Sequence, residues 1–158
     1  MGIFATAGSK IYIGGVLDAK LVDFVIGDFS GQSWVEIGWA EAIGEFGDES
    51  SEITFDAIGQ QRTQKLKGSR NAGTMAARFG VDTEDPGQIA VRAAELGPQD
   101  YAFRVDFNDA NTQSGTPSQR YFVGKIMSAR EVLDTSNNVV RLNASIGVNS
   151  NIVQVSPT

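Results

Sequence analysis

The stretch YAFRVDF, residues 101–107, decides the fold class. Tyr101, Phe103, Val105 and Phe107 fall on one face of an extended chain, and Ala102, Arg104 and Asp106 on the other. Side chains alternate across a strand with a period of two, so this pattern predicts a half-buried β-strand rather than a helix. The same reading extends outward in both directions. Met75, Ala77, Phe79 and Val81 alternate with residues such as Arg78, and Val140, Leu142, Ala144, Ile146 and Val148 alternate with Arg141, Asn143, Ser145 and Gly147. Further strands are expected at Lys10–Ile13, Ser33–Gly38, Glu52–Phe55, Arg62–Lys67 and Tyr121–Ser128. One helix interrupts them. Asp85 suits its N-cap, Pro86 its first position, and Gln88 completes an approximate capping box; Ile89, Ala93 and Leu96 form its apolar stripe, and Gly97-Pro98 stops it. Leu21, Val22, Phe24, Val25 and Ile26 within Ala19–Phe29 suggest only a loop or a short helical turn.

The expected product is one mainly β domain, a two-sheet sandwich with a flanking helix at about 85–96. Residues 1–8 and 150–158 are small and polar and read as terminal arms around a sandwich spanning 9–149. The polar runs Gly44–Ser51 and Asn108–Ser118 carry turn residues and read as surface loops. No internal repeat or low-complexity tract occurs.

Composition narrows the chemistry. The 158 residues include neither cysteine nor histidine, which removes thiol nucleophiles, thiolate metal sites and the usual neutral-pH general base. A net charge of −6 argues against a protein that grips nucleic acid, because such affinity comes from neutralising phosphates. There is no apolar run of the ~20 residues that span a bilayer, and the N-terminus lacks the basic and apolar regions of a signal peptide. Gly2 followed by Thr6 loosely matches a myristoylation start, but no polybasic second signal follows. No phosphate-binding loop, HExxH or GxSxG motif is present. The segment from Asp109 begins like a calcium-binding loop, yet Ser114 and Arg120 stand where glycine and glutamate are needed. Asn143-Ala-Ser145 is a formal glycosylation sequon inside an expected strand. Glu41, Glu45, Asp48, Glu49 and Glu52 form an acidic cluster, read first as a solvated loop; with Trp34 and Trp39 it also leaves a carbohydrate-binding sandwich or a two-carboxylate hydrolase open.

That acidic run is followed by a basic one, Arg62, Lys65, Lys67 and Arg70. Lys65 and Lys67 share a face of an extended strand, so a hairpin built from the two runs would carry opposite charge on its arms. Such charge either solvates the hairpin or meets its complement on a neighbouring copy, where it sets register more than affinity.

The segment VEIGWAEAIGEFGDESSEITFDAIGQQRTQKLKGSRNAGTM, residues 35–75, resembles the major tail tube proteins of long-tailed, siphophage-type bacteriophages. The features are the VEIG entry after Trp34, the GEFG-acidic turn, the EITF strand, the KLKG step at Lys65–Gly68 and a glycine at Gly73. The helix, the RYF strand at Arg120–Phe122 and a C-terminal arm follow in the expected order, so the resemblance covers roughly Ser9 to Val155, with Ala19–Ser30 matching least. It implies a structural virion protein, not an enzyme, with no cofactor. Six copies would form a ring, and rings would stack into a tube that passes DNA without binding it specifically. A long loop of the Gly44–Arg62 kind and the arms would reach the adjacent ring, which makes Glu45, Phe46, Asp48, Glu49, Arg62, Lys65, Lys67 and Arg70 the candidate contacts. Tape-measure and tail terminator proteins are the implied partners, the virion tail the implied location, and the host cytoplasm the place of assembly.

A ring of about 24 strands at ~4.8 Å spacing and ~40° tilt has a backbone diameter near 50 Å, wide enough for duplex DNA. Six copies multiply the −6 charge, and an acidic wall repels DNA over a Debye length of about 8 Å. Glu36 and Asp106 are the lumen candidates, with the outer surface as their alternative. A ring-forming tube subunit of a secretion or contractile machine shares this architecture.

Overall fold

The computed structural model describes residues 2–158. It contains β1 (Lys10–Val16), β2 (Val35–Glu36), β3 (Ala40–Ala42), β4 (Glu49–Phe55), β5 (Gln64–Asn71), β6 (Thr74–Gly80), α1 (Pro86–Glu95), β7 (Tyr101–Asp106), β8 (Gln119–Val132), β9 (Arg141–Val148) and β10 (Val153–Val155). A 3-10 turn at Ile26–Phe29 lies in the segment read as a loop or short turn.

Ten strands make two sheets. β4 and β5 pair only with each other, and the other eight form one antiparallel sheet in the order β2-β1-β7-β8-β9-β6-β3, with β10 also on β8. The 14-residue β8 links two halves of this sheet. Its first part, Gln119–Gly124, pairs with β7; from Gly124 to Val132 it pairs with β9, across an irregularity between Ile126 and Ser128. Both flanks send alternate side chains into one core: Ile11 and Ile13 of β1, Phe103 and Val105 of β7, Phe122 and Ile126 of β8, against Met75 and Phe79 of β6 and Leu142 and Ile146 of β9. The sheet therefore wraps on itself, and the two layers of the sandwich are two halves of one hydrogen-bonded sheet.

The outer faces of these halves differ. On the β1–β7 half, Phe24 and Phe29 fasten segment 17–34 over Ala102, Tyr121 and Val123 as a second apolar cluster. On the β3–β6–β9–β8 half, Thr74, Ala76, Arg78, Asn143 and Arg130 are exposed, with Ser128 and Ser145 half-buried between them. One half is covered and the other bare.

Helix α1 closes the side of the sandwich, and it corrects two sequence readings. Asp85 caps it as expected: its Oδ2 accepts from Gln88 N at 2.9 Å and from Gly38 N at 3.1 Å. Gln88, however, is not the reciprocal partner in a capping box. Its fully buried amide donates to Gly80 O at 2.7 Å and Gly38 O at 3.1 Å and accepts from Asp82 N at 3.0 Å, so it clamps the backbone at Gly38 and at Gly80–Asp82 to the helix. The buried stripe is Gly87, Val91 and Ala94, whereas Ile89, Ala93 and Leu96 face outward. Small residues win the inward face because the helix backbone lies directly on β2. A methyl group built on Gly87 would stand 2.2 Å from Glu36 O and 2.4 Å from Ile37 Cα. Gly87→Ala is therefore expected to lower the melting temperature by about 5 °C, as overpacking of about 1–3 kcal/mol predicts, in a thermal melt followed by circular dichroism.

Candidate assembly surface

The acidic and basic runs pair as a hairpin, with Glu52 opposite Lys67, Ile53 opposite Leu66 and Thr54 opposite Lys65. Residues directly opposite share a face in an antiparallel pair, and residues two apart along a strand do as well. One face thus carries Glu52, Lys65 and Lys67, where Lys65 Nζ lies 3.6 Å from Glu52 Oε1. The other carries Ile53, Phe55 and Leu66, whose exposures are 48%, 60% and 58%. None of these three belongs to either apolar cluster. The hairpin loop adds Ile58, fully exposed. A two-stranded hairpin is marginal alone in water, and one with an uncovered apolar face has left its hydrophobic stabilisation unused.

The base of the hairpin is fixed to the body. Arg70 Nη2 donates to Asp48 Oδ2 at 3.1 Å, and Phe46 turns inward to stack on Phe122 with ring centroids 5.9 Å apart. Of the candidate contact residues, Glu45, Asp48, Glu49, Arg62, Lys65, Lys67 and Arg70 are exposed, while Phe46 is an anchor. The run Gly44–Ser51, read as loop, becomes strand from Glu49 onward because Glu49 and Ser50 pair with Asn71 and Arg70. Shallow open clefts flank the base, one lined by Asp23, Asp48, Arg70 and Asn149–Ile152, the other by Glu45–Glu49 and Asn71–Thr74.

Elsewhere in the acidic cluster, Glu41 is drawn away from the hairpin into ion pairs. Arg141 Nε donates to Glu41 Oε2 at 2.6 Å and Arg78 Nε lies 3.5 Å from Glu41 Oε1, so one carboxylate serves two guanidinium groups. The Arg141 hydrogen bond holds the Glu41 carboxyl below the usual range. No group of three acidic side chains suited to a metal ion occurs among the described residues. Trp34 packs against Tyr121, with ring centroids 5.7 Å apart, on the covered half; Trp39, 69% exposed and with φ of 60°, donates its indole N–H to Asp82 Oδ2 at 3.0 Å. The two indoles do not share a platform.

The two lumen candidates have different surroundings. Glu36 is exposed on β2. Asp106 is half-buried: Arg104 Nη2 donates to its Oδ2 at 3.1 Å, and the Arg104 guanidinium stacks on Tyr12 4.0 Å from the ring centroid. Arg104 Nε also lies 2.9 Å from Asp106 Oδ1, as an ion pair without hydrogen-bond alignment. Burial pushes the Asp106 carboxyl up, against the opposing pull of Arg104. Ala19–Phe29, expected as a loop or a short helical turn, instead packs Phe24 and Phe29 over Ala102 and Tyr121 on the same side of the sheet.

Both arms return along the body in the isolated chain. Phe4 lies 5.9 Å from Phe107 between ring centroids, and Asn108 Nδ2 donates to Ala7 O at 3.0 Å. Within 150–158, β10 pairs Val153 with Tyr121 and Val155 with Gln119, and Thr158 N donates to Thr116 O at 2.9 Å.

No family model and no curated protein matches the sequence. Solved structures do match the fold. A chain of the six-fold symmetrised anti-feeding prophage baseplate is similar at a TM-score of 0.70 and 13% identity, over 99% of this chain and 98% of that one. A chain of the sheath/tube terminator of an extracellular contractile injection system in its extended state aligns at 0.68 and 12%, over 99% of both. The SPP1 tail tube aligns at 0.61 and 15%, over 93% of this chain and 77% of that one. The chain has the fold of tail tube and tube terminator proteins.

Proposed function

We propose that this chain is a structural subunit of a phage tail tube, six copies forming a ring and rings stacking into the hollow conduit through which DNA passes. A shared fold does not by itself carry a function. The observation that carries this one is the β4–β5 hairpin, which projects from the body with Ile53, Phe55 and Leu66 uncovered. A neighbouring copy would bury that face, and the charged face opposite, with Glu52 and Lys67 directly across from each other, would set the register of the contact. The chain supplies no nucleophile–histidine pair because it contains no histidine or cysteine. Tape-measure and terminator proteins are the partners this role requires, and the tail, assembled in the host cytoplasm, is its place. A second reading, the tube or tube terminator of a contractile injection system, is favoured by the likeness to such a terminator.

Negative-stain electron microscopy of the purified chain across concentration, with light-scattering mass, tests the proposal. Hollow rings or tubes with a lumen that admits duplex DNA are expected. A compact monomer at every concentration, also in the presence of a terminator or other initiator, overturns it. Mass spectrometry of assembled particles separates the two readings, since a contractile machine contains a sheath protein and a non-contractile tail does not.

A further inference from the structure

Trp39 is the one residue other than glycine with a left-handed backbone among the described residues. A bulky side chain rarely adopts that conformation, and the strain persists only where the surroundings fix it. Here they do. Gly80 N donates to Trp39 O at 2.8 Å, and the indole N–H donates to Asp82, whose own backbone N–H is held by the buried Gln88. The ring is locked in place yet largely left in solvent. A pre-organised aromatic side chain loses little freedom on contact, and tryptophan is enriched among the anchors of protein interfaces. Its surroundings are apolar as well. A methyl group built on Gly80 would lie 3.7 Å from Trp39 Cβ and 3.9 Å from Val139 Cγ1, so these two side chains flank that glycine. Val139 is exposed, and so is Leu133 at the other side of the same β8–β9 turn.

Topology puts this patch at the far end of the body from the β4–β5 hairpin. β6 begins at Thr74, just after β5 ends at Asn71, and finishes at Gly80 beside Trp39. Its length separates the two ends by about 20 Å. The hairpin leaves the body at one end and does not cover Trp39 at the other. Copies repeated along a stack bring the hairpin end of one body to the Trp39 end of the next, a head-to-tail contact between two different patches that continues along the axis. Charge agrees with that meeting. Glu84, whose N–H donates to Asp82, and Asp134, next to Leu133, enter no ion pair among the described residues. Neither do Arg62 and Lys67 of the hairpin.

On the reading of the chain as a tube subunit, we infer that Trp39, Val139 and Leu133 form the seat for the hairpin of a copy in the adjacent ring, with Trp39 as the anchor. Ile53, Phe55 and Leu66 find there the apolar cover that their own copy does not supply. Glu84 and Asp134 at the rim meet the basic side chains of the hairpin, which favours this register over others. A second exposed apolar group, Leu21, Val22, Val25 and Ile26, is the competing seat. It lies at the wrong end: Asp23 shares a cleft with Asp48 and Arg70 at the hairpin base. Head-to-tail stacking carries the hairpin away from it.

Two measurements test the seat. Trp39→Asn removes the indole but keeps a residue that tolerates the left-handed backbone. Its melting temperature is expected within about 4 °C of the parent, while the concentration needed for tubes rises about tenfold or more. Phe55→Ala is expected to raise it similarly, and the double variant little further, because each removes one side of the same contact. Assembly of Trp39→Asn at the parent's concentration overturns the inference, and so does a double variant whose increase is the product of the single ones. The second measurement leaves Trp39 intact. The chain has no cysteine, so Phe55→Cys chains and differently tagged Val139→Cys chains are co-assembled under reducing conditions and then oxidised. Disulfide-linked mixed dimers are expected. Tubes that yield none, or that link Phe55→Cys to Val22→Cys chains instead, overturn the seat and leave the tube reading standing. Failure of the unmodified chain to assemble overturns the tube reading, and this inference with it.

Discussion

A variant with residues 49–71 replaced by a short glycine-containing link is expected to fold with an unchanged circular dichroism signature of the body, yet to form no tubes under any condition that assembles the unmodified chain. The excision is geometrically local. Glu49 and Asn71 are already paired across the hairpin base, so a link of a few residues spans the gap. No residue between them enters either apolar cluster. The lost ion pairs are exposed and contribute about 0–1 kcal/mol each. Stability of the body should therefore change by no more than about 2 kcal/mol, while the amphipathic hairpin is gone. Sedimentation and electron microscopy read the assembly, and a thermal melt reads the body. Tubes of normal length from the excised chain would show that the hairpin is not the contact between rings.

Gln88→Leu should be the most destabilising single substitution of similar volume in α1. It leaves Gly38 O, Gly80 O and Asp82 N without the side-chain partner they have now. An orphaned buried group costs about 1–3 kcal/mol, and partial access to water tempers the sum, so a loss of about 3 kcal/mol is expected in denaturant titration. Gln88→Glu separates the contributions. It keeps an acceptor for Asp82 N but offers the two carbonyls a carboxylate instead of an N–H donor, so it should be no better than leucine. A glutamate variant as stable as the parent would show that the clamp is not what seats α1.

Much of this was legible from the residues. Period-two alternation identified β6, β7 and β9, because each has one face in the core and another that is not. The Asp85-Pro86 pair placed the helix start correctly because capping is a local matter between a side chain and a backbone three residues on. The opposite charges of β4 and β5 marked the hairpin. What escaped depended on contacts distant in sequence. The large residues Ile89 and Leu96 advertised an apolar stripe, but α1 presents glycine and alanine to the body, where close approach rather than side-chain volume fills the space. Gln88 looked like a helix-end residue since its partners at Gly38 and Gly80 lie elsewhere in the chain. β3 and β10, three residues each, are too short for any alternation to register. Asp106 reads as outward from its strand, and only the fold shows its carboxyl half-buried beside Arg104 and Gln119.

The continuity of β8 through both halves of the sandwich has a mechanical meaning. In a sandwich whose layers merely stack, a force that drags one layer past the other is resisted by side-chain packing. Here the same force is carried along a covalent backbone, since Phe122 in one half and Ala129 in the other belong to one strand. Its ladders with β7 and β9 are then loaded in shear, so their hydrogen bonds must yield together rather than unzip one at a time. Each layer would thus stay tied to the other under load, and the domain would deform as a single spring.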